Sequence, residues 1–468
     1  MKKNLFLLGK TGGWIVAIAL FLFSSCAQGY DEDWTFESDV RDAQLESPEE
    51  IAFAANPEGT EVIISWPVVR GAGGYELSFY IADDPNNLVP VGKEKEIVDG
   101  CSIKREILED TKYVAVVKAL GNEKNNNREA LEETKREWST LVEATIIPSG
   151  TDLGTYFAEN SFEDGAAFEL EGGAEYTLSK NVNLAAKSII IRGSRLNHAK
   201  IKVTSNAMFV SNGAGLKLKF LDFDLSGTTK EFINYGDPAT ELPTQGNDKY
   251  VANSPVLIEE CHFSGMTYRL LNSSSSKKYF VSVLTINNSV FDMSLSSSFI
   301  QFSGSAYIKD FTIKNSTLNN KKGASTSQRL VQYGNGSIAK SGVTSSKLLF
   351  TNSTFYNISS AQKIANYNMM RQSSYTVELR KNIFVDCGNK RLVKDLVADN
   401  TNPKLICEKN AYWYDGAFPT EETTDSKGDK SGTHFSVDPA FVNSAQNNFK
   451  VTASELISNK IGDPRWLE

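Results

Sequence analysis

One phrase recurs in this chain, and its recurrence limits what the chain can fold into. SVLTINNSVFDM (282–293), IKDFTIKNSTLNN (308–320), SKLLFTNSTFYNI (346–358) and YTVELRKNIFVDC (375–387) share one order of apolar and small polar residues. A weaker copy, PVLIEECHFSGM (255–266), precedes them, and PKLICEKNAYWYDG (403–416) follows. Aligned on the apolar residue that closes each phrase (Phe263, Phe291, Leu318, Phe355, Phe384 and Tyr412), the steps are 28, 27, 37, 29 and 28 residues. A repeat of that length means one small unit stacked on copies of itself.

Each unit is too short to hold a strand, a crossover helix and a turn. Inside a phrase Val283 and Thr285 alternate with Leu284 and Ile286, the period of a strand. A second apolar pair follows in most units: Leu270-Leu271, Phe299-Ile300, Leu330-Val331, Met369-Met370 and Leu392-Val393. Short strands separated by Asn, Ser and Gly turns predict a parallel β-helix, one unit per coil. Asn288, Asn315 and Asn352 each lie three residues before the aligned position. Stacked coils would set them in a ladder sharing amide hydrogen bonds, at a corner that needs the left-handed conformation Asn tolerates.

The 468 residues leave room for two or three domains. A formal charge of −8 argues against a general nucleic-acid binder, which needs a basic footprint. Five cysteines without a C-x-x-C pair, and only three histidines, argue against a zinc site. Cys261, Cys387 and Cys407 fall near the repeated phrase and read as small apolar residues of the coil interior.

Residues 1–25 read as a lipoprotein signal peptide: Lys2, Lys3 and Lys10 begin it, and an apolar run from Trp14 to Phe23 follows. Phe23-Ser24-Ser25-Cys26 resembles a bacterial lipobox, in which Cys26 becomes the lipidated first residue of the mature chain. Asp31-Glu32-Asp33 resembles the export signal of surface lipoproteins in Gram-negative glycan-degrading bacteria, so residues 26–47 read as a flexible acidic tether. Residues 48–147 carry strand patterns at sandwich-like spacing. Trp66, and Tyr113 in the stretch Glu106–Val114, resemble the core tryptophan and corner tyrosine of fibronectin type III domains. Residues 151–468 take the β-helix with a C-terminal cap, Ile461-Gly462-Asp463-Pro464-Arg465-Trp466 closing the last coil against unpaired strand edges.

A lipobox, a fibronectin-like module and a coil stack ending in GDPRW together resemble domain-of-unknown-function surface lipoproteins. That resemblance implies an all-β chain: an N-terminal fibronectin type III β-sandwich, then a right-handed parallel β-helix of pectin-lyase-like architecture. It also implies the outer membrane of a Gram-negative bacterium, a lipid anchor at Cys26, and company among polysaccharide-utilisation proteins. No catalytic residues are implied.

Hydrolysis of the polygalacturonase kind needs paired carboxylates, and the Gly-His-Gly and Arg-Ile-Lys phrases of those enzymes do not occur. Asp222 and Asp224 share a strand face at a separation that would suit inverting chemistry, but we read them as solvent-facing structural residues. A lyase would need a base and a cation, and no dense acidic cluster lies on the coils to hold calcium. The stronger signal is a row of arginines. Arg269, Arg329 and Arg391 each precede the second apolar pair of their coil, and Arg371 follows its own. Tyr268, Tyr333 and Tyr367 neighbour them. Guanidinium forks grip carboxylates and aromatic faces stack on sugar rings, so the row predicts a flank for an acidic glycan. The expected function is non-catalytic binding of extracellular, acidic or pectic polysaccharide, without a cofactor. The alternatives are a polysaccharide lyase of the same fold, in which calcium could enter, and a structural or adhesive surface protein.

Overall fold

The structure, a computed structural model, describes residues 40–245, 249–273, 278–303, 307–321, 328–334, 345–365, 375–397 and 403–468. It divides into two compact units, Met1–Leu141 and Val142–Glu468. Cys26 and the signal segment lie outside the described residues.

The first unit is a β-sandwich. Ala52–Ala55, Glu61–Ser65 and Ser102–Glu106 form one antiparallel sheet. Gly74–Ile81, Lys112–Leu120 and Thr134–Ser139 form the centre of the other. Alternation along Lys112–Leu120 buries Tyr113, Ala115, Val117 and Ala119 against Trp66 and Phe79. The Tyr113 hydroxyl accepts a hydrogen bond from the Leu108 backbone N–H, 2.6 Å away, as a tyrosine corner requires. Two boundaries differ from the sequence reading. Residues 40–47 are docked and do not continue the tether: Leu45 is buried, and its N–H donates to the Arg128 carbonyl. Thr145–Ile147, assigned above to the sandwich, pairs in parallel with Ala166–Leu170 of the second unit.

The second unit is a parallel β-helix of three sheets. Counted over the described residues, as are the other two sheets, sheet one has twelve strands; its main path starts at Thr145–Ile147 and ends at Lys404–Glu408. Sheet two has nine, from Glu175–Leu178 to Ala411–Trp413. Sheet three has six, from Val182–Ala185 to Val331–Tyr333. The six aligned residues of the repeat, preceded by Phe223, form one unbroken register in sheet two. All seven are buried. Rings stack directly at Phe263–Phe291 (centroids 4.6 Å apart, 4° between planes) and at Phe355–Phe384 (5.0 Å, 19°). Burying such rings is the largest apolar contribution a coil makes.

The corner between sheets one and two is left-handed in seven successive coils: Phe220, Glu260, Asn288, Asn315, Asn352, Lys381 and Lys409 have φ between 48° and 58°. The asparagines sit where that strain is smallest for a non-glycine side chain. The hydrogen-bond ladder, however, is made by the next residue. Cys261 N–H donates to Ser289 Oγ, Ser289 N–H to Ser316 Oγ and Ser316 N–H to Ser353 Oγ. Ser353 N–H then donates to Asn382 Oδ1, and Asn382 N–H to Asn410 Oδ1, so buried amides extend the line. These side chains face the dry interior, where an unmatched backbone N–H is costly. The asparagines at the corner itself face outward.

Two further expectations change. Leu392-Val393 begins a short helix, Leu392–Leu396, instead of a strand of sheet three. The GDPRW ending does not close the last coil; it lies along sheet two. Gly462 N–H donates to the Lys381 carbonyl, Thr317 Oγ1 to Asp463 Oδ2 and Trp466 Nε1–H to Thr317 Oγ1. Beyond the last full coil, Phe435 bridges Ala411 in parallel and carries the sheet-two pairing one step further. Cys261 and Cys387 are buried, as read from the sequence, and Cys407 is half-buried; burial pushes all three thiols up.

Candidate functional site

Sheet three carries the arginines. Ile233, Leu271, Ile300 and Val331 are in register and point inward. Two residues earlier on each coil come Glu231, Arg269, Ser298 and Arg329, one column in which Ser298 is buried and the other three are half-buried. The backbone agrees: Phe232 N–H donates to the Arg269 carbonyl and Phe299 N–H to the Arg329 carbonyl. Parallel neighbours lie about 4.8 Å apart, so the two guanidinium stems are roughly 10 Å apart along the stack. The Val331–Ala365 bridge places Lys363 next above Arg329.

The residue after each inward position gives a second column, Asn234, Asn272, Gln301 and Gln332, of which Asn272 is buried and the others are half-buried. Asn272 Nδ2–H donates to Asn234 Oδ1 at 2.9 Å, and Ser298 Oγ–H to Gln332 Oε1 at 3.0 Å. Arg269 Nη1–H reaches Asn272 Oδ1 at 3.3 Å, and its guanidinium lies 4.5 Å from the centre of the Tyr268 ring. The Nε atoms of Arg269 and Arg329 are buried and make no hydrogen bond among the described residues. Two cationic forks with spare donors, beside a row of amides, can take carboxylates and hydroxyls together.

The sequence row of arginines is therefore brought together only in part. Arg391 stands exposed at the N-cap of the helix Leu392–Leu396, off the column. Arg371 and Tyr367 lie outside the described residues. Tyr333 is buried in the core, 4% exposed, and cannot stack on a ligand. Tyr268 stays beside Arg269, half-buried.

A second polar feature lies on the outer face of sheet two. Glu175, Lys200, Asp222 and His262 follow one another in register, as do Thr177, Lys202, Asp224 and Ser264. They line a groove of about 650 Å³. His198 Nδ1 and Asp222 Oδ1 are hydrogen-bonded at 2.8 Å. Hydrogen bonds from Ser226, with Lys202 nearby, hold the Asp224 carboxyl below the usual range. Asp222 and Asp224 are thus groove residues and not isolated surface acids. The signal that could have revealed this is K-I-K, D-F-D and H-F-S in successive coils, a polar pair two apart each time.

A third acidic feature is interior. Glu422 accepts hydrogen bonds from the Leu392 and Val393 N–H groups. Burial, with Asp395 and Asp429 close by, pushes its carboxyl up to about 7.

Residues 1–183 match a sequence-family model described as a domain of unknown function (DUF4992). Residues 174–321 match DUF4957 and residues 348–466 match DUF5123, both also domains of unknown function. No curated protein matches the sequence. Among solved structures, a PL6 family alginate lyase, AlyGC, is similar at 14% identity and a TM-score of 0.36, over 60% of this chain and 41% of its own. The chain thus spans less than half of that lyase. Pectate lyase PelI from Erwinia chrysanthemi, solved with tetragalacturonic acid, is similar at 13% identity and a TM-score of 0.16, over 60% of this chain and 87% of its own. A protein named FN3tt mut matches 20% of this chain and 96% of its own, at 16% identity and a TM-score of 0.16.

Proposed function

We propose that this protein is a surface lipoprotein, anchored through Cys26, that binds an extracellular acidic polysaccharide along the outer face of sheet three. The sandwich acts as a spacer, and polysaccharide-utilisation proteins are its expected neighbours. The observation that carries the reading is the column of the half-buried Arg269 and Arg329 beside the amide row, with both Nε atoms lacking a hydrogen-bond partner among the described residues. A uronate chain offers what that surface lacks: carboxylates for the forks and hydroxyls for the amides.

Affinity electrophoresis in gels containing polygalacturonate, alginate or a neutral glucan tests this. Retardation is expected in the acidic gels and should weaken with salt, since the forks are partly exposed. The Arg269→Ala/Arg329→Ala variant should be retarded clearly less than the native protein. Full mobility of the native protein in every acidic gel overturns the reading. The same guanidiniums could also stabilise an enolate-like intermediate. An ultraviolet-absorbing unsaturated product on incubation with these uronates, with or without calcium, would replace binding by β-elimination.

A further inference from the structure

The sheet-two groove belongs to a different face of the coil stack from the arginine column, and the reading above does not use it. Its floor is regular. Four successive coils each present two outward side chains, so the groove runs about 14 Å along the stack axis at one parallel-strand spacing per step. The rows alternate in character: Lys200 and Lys202, then Asp222 and Asp224, then His262 and Ser264. Both lysines are exposed, and Lys202 acts electrostatically on the neighbouring Asp224 carboxyl. A smaller cavity of about 300 Å³ continues the groove past Asp222 and His262. There Arg465 stands as an end wall, its Nη2–H donating to Asn288 Oδ1 at 2.6 Å. One coil further, Asp463 and Trp466 cover Thr317, and the outer face is no longer open.

We infer that this groove is a second binding site, for a short acidic oligosaccharide lying along the stack. Its lysine row takes a carboxylate, and its aspartate and His262–Ser264 rows take hydroxyls. The side chains of its four outward rows are polar, and the aliphatic Val290 enters at the continuing end, far less apolar surface than a protein-docking site needs. They supply donors and acceptors in alternate rows, which suits a ligand with both on every residue. Because Arg465 ends the groove, the site holds a chain end or a short segment, whereas sheet three is read as holding a longer stretch. A protein with both sites would bridge two glycan chains.

Isothermal titration with trigalacturonate, and with maltotriose as the neutral control, tests the inference. The native protein should take up two equivalents of trigalacturonate and no maltotriose. Arg269→Ala/Arg329→Ala should retain one equivalent, and Lys200→Ala/Lys202→Ala should also retain one. The fourfold variant should bind at least tenfold more weakly than either. Thermal melts should be unchanged, because all four side chains point away from the core. The inference is overturned if the lysine variant binds as the native protein does, if the arginine variant takes up nothing, or if maltotriose binds equally well. Loss of uptake on lysine substitution alone would uphold the groove and remove the sheet-three reading, so the two fail separately. Displacement of trigalacturonate by a mixed-charge peptide would reassign the groove to a protein partner.

Discussion

The inside and the outside of the coil stack are made by the same strands and obey different rules. Along the inward column of sheet two, Phe263, Phe291, Leu318, Phe355, Phe384 and Tyr412 vary little in shape, because each packs on the coil above and below. Along the outward column of the same sheet, Glu175, Lys200, Asp222, His262 and Val290 change character at every step. Stacking forces repetition on the interior and imposes nothing on the exterior. The contrast teaches where stability and recognition reside: the former in what repeats, the latter in what departs from the repeat.

Changes on the two sides should separate cleanly. Phe291→Ala removes a fully buried ring stacked on Phe263 and edge-on to Phe299, and should cost about 3–5 kcal/mol in urea unfolding. A loss under about 1 kcal/mol would break the comparison on the inside.

The next effect is a pH dependence. The Glu422 carboxyl is raised to about 7 and Asp463 to about 6, both chiefly by burial. Their folded values lie above the unfolded ones, so the stability linked to them is complete below about pH 4 and is lost as pH rises through 6 and 7. For Glu422 the loss is roughly 3 kcal/mol. The urea midpoint should fall between pH 5 and pH 7.5, and Glu422→Gln should flatten that slope. An unchanged slope would contradict the assignment.

Asn382 tests the ladder. Its amide donates to the Phe350 carbonyl and to Asn410 Oδ1, and its Oδ1 accepts from Ser353 N–H. Asn382→Ala leaves that buried N–H unmatched and should cost about 1–3 kcal/mol. The equivalent change at Asn315, on the outward side of the corner, should cost less. On the outside, Arg269→Ala and Arg329→Ala should each shift stability by less than about 0.5 kcal/mol. Each should nonetheless weaken acidic-glycan binding about tenfold, or about 1.4 kcal/mol. A large stability loss there would make the column structural.

How much of this could be read in the sequence follows the same division. The repeated phrase locates one inward column of sheet two, from Phe263 to Tyr412, because packing fixes its spacing. The ladder was misplaced by one residue, since the conspicuous asparagines serve the backbone turn while smaller serines face in. The inward orientation of Tyr333 is legible from strand alternation alone. Val331 faces in, so the residue two further on must also face in. Leu392-Val393 matched the apolar pair of earlier coils but winds into a helix, with Glu422, thirty residues on, accepting from its first N–H groups. No local pattern announces a partner so distant. The groove was missed because its rows differ in charge, and a search for repetition passes over them.

Hydrogen–deuterium exchange with and without polygalacturonate tests the central claim, that recognition lies on the outward columns of sheet three. Protection is predicted in peptides covering 231–235, 269–273, 298–302 and 329–333, and should disappear in Arg269→Ala/Arg329→Ala. Protection confined to the sandwich, or no protection anywhere in the coil stack, would contradict the account.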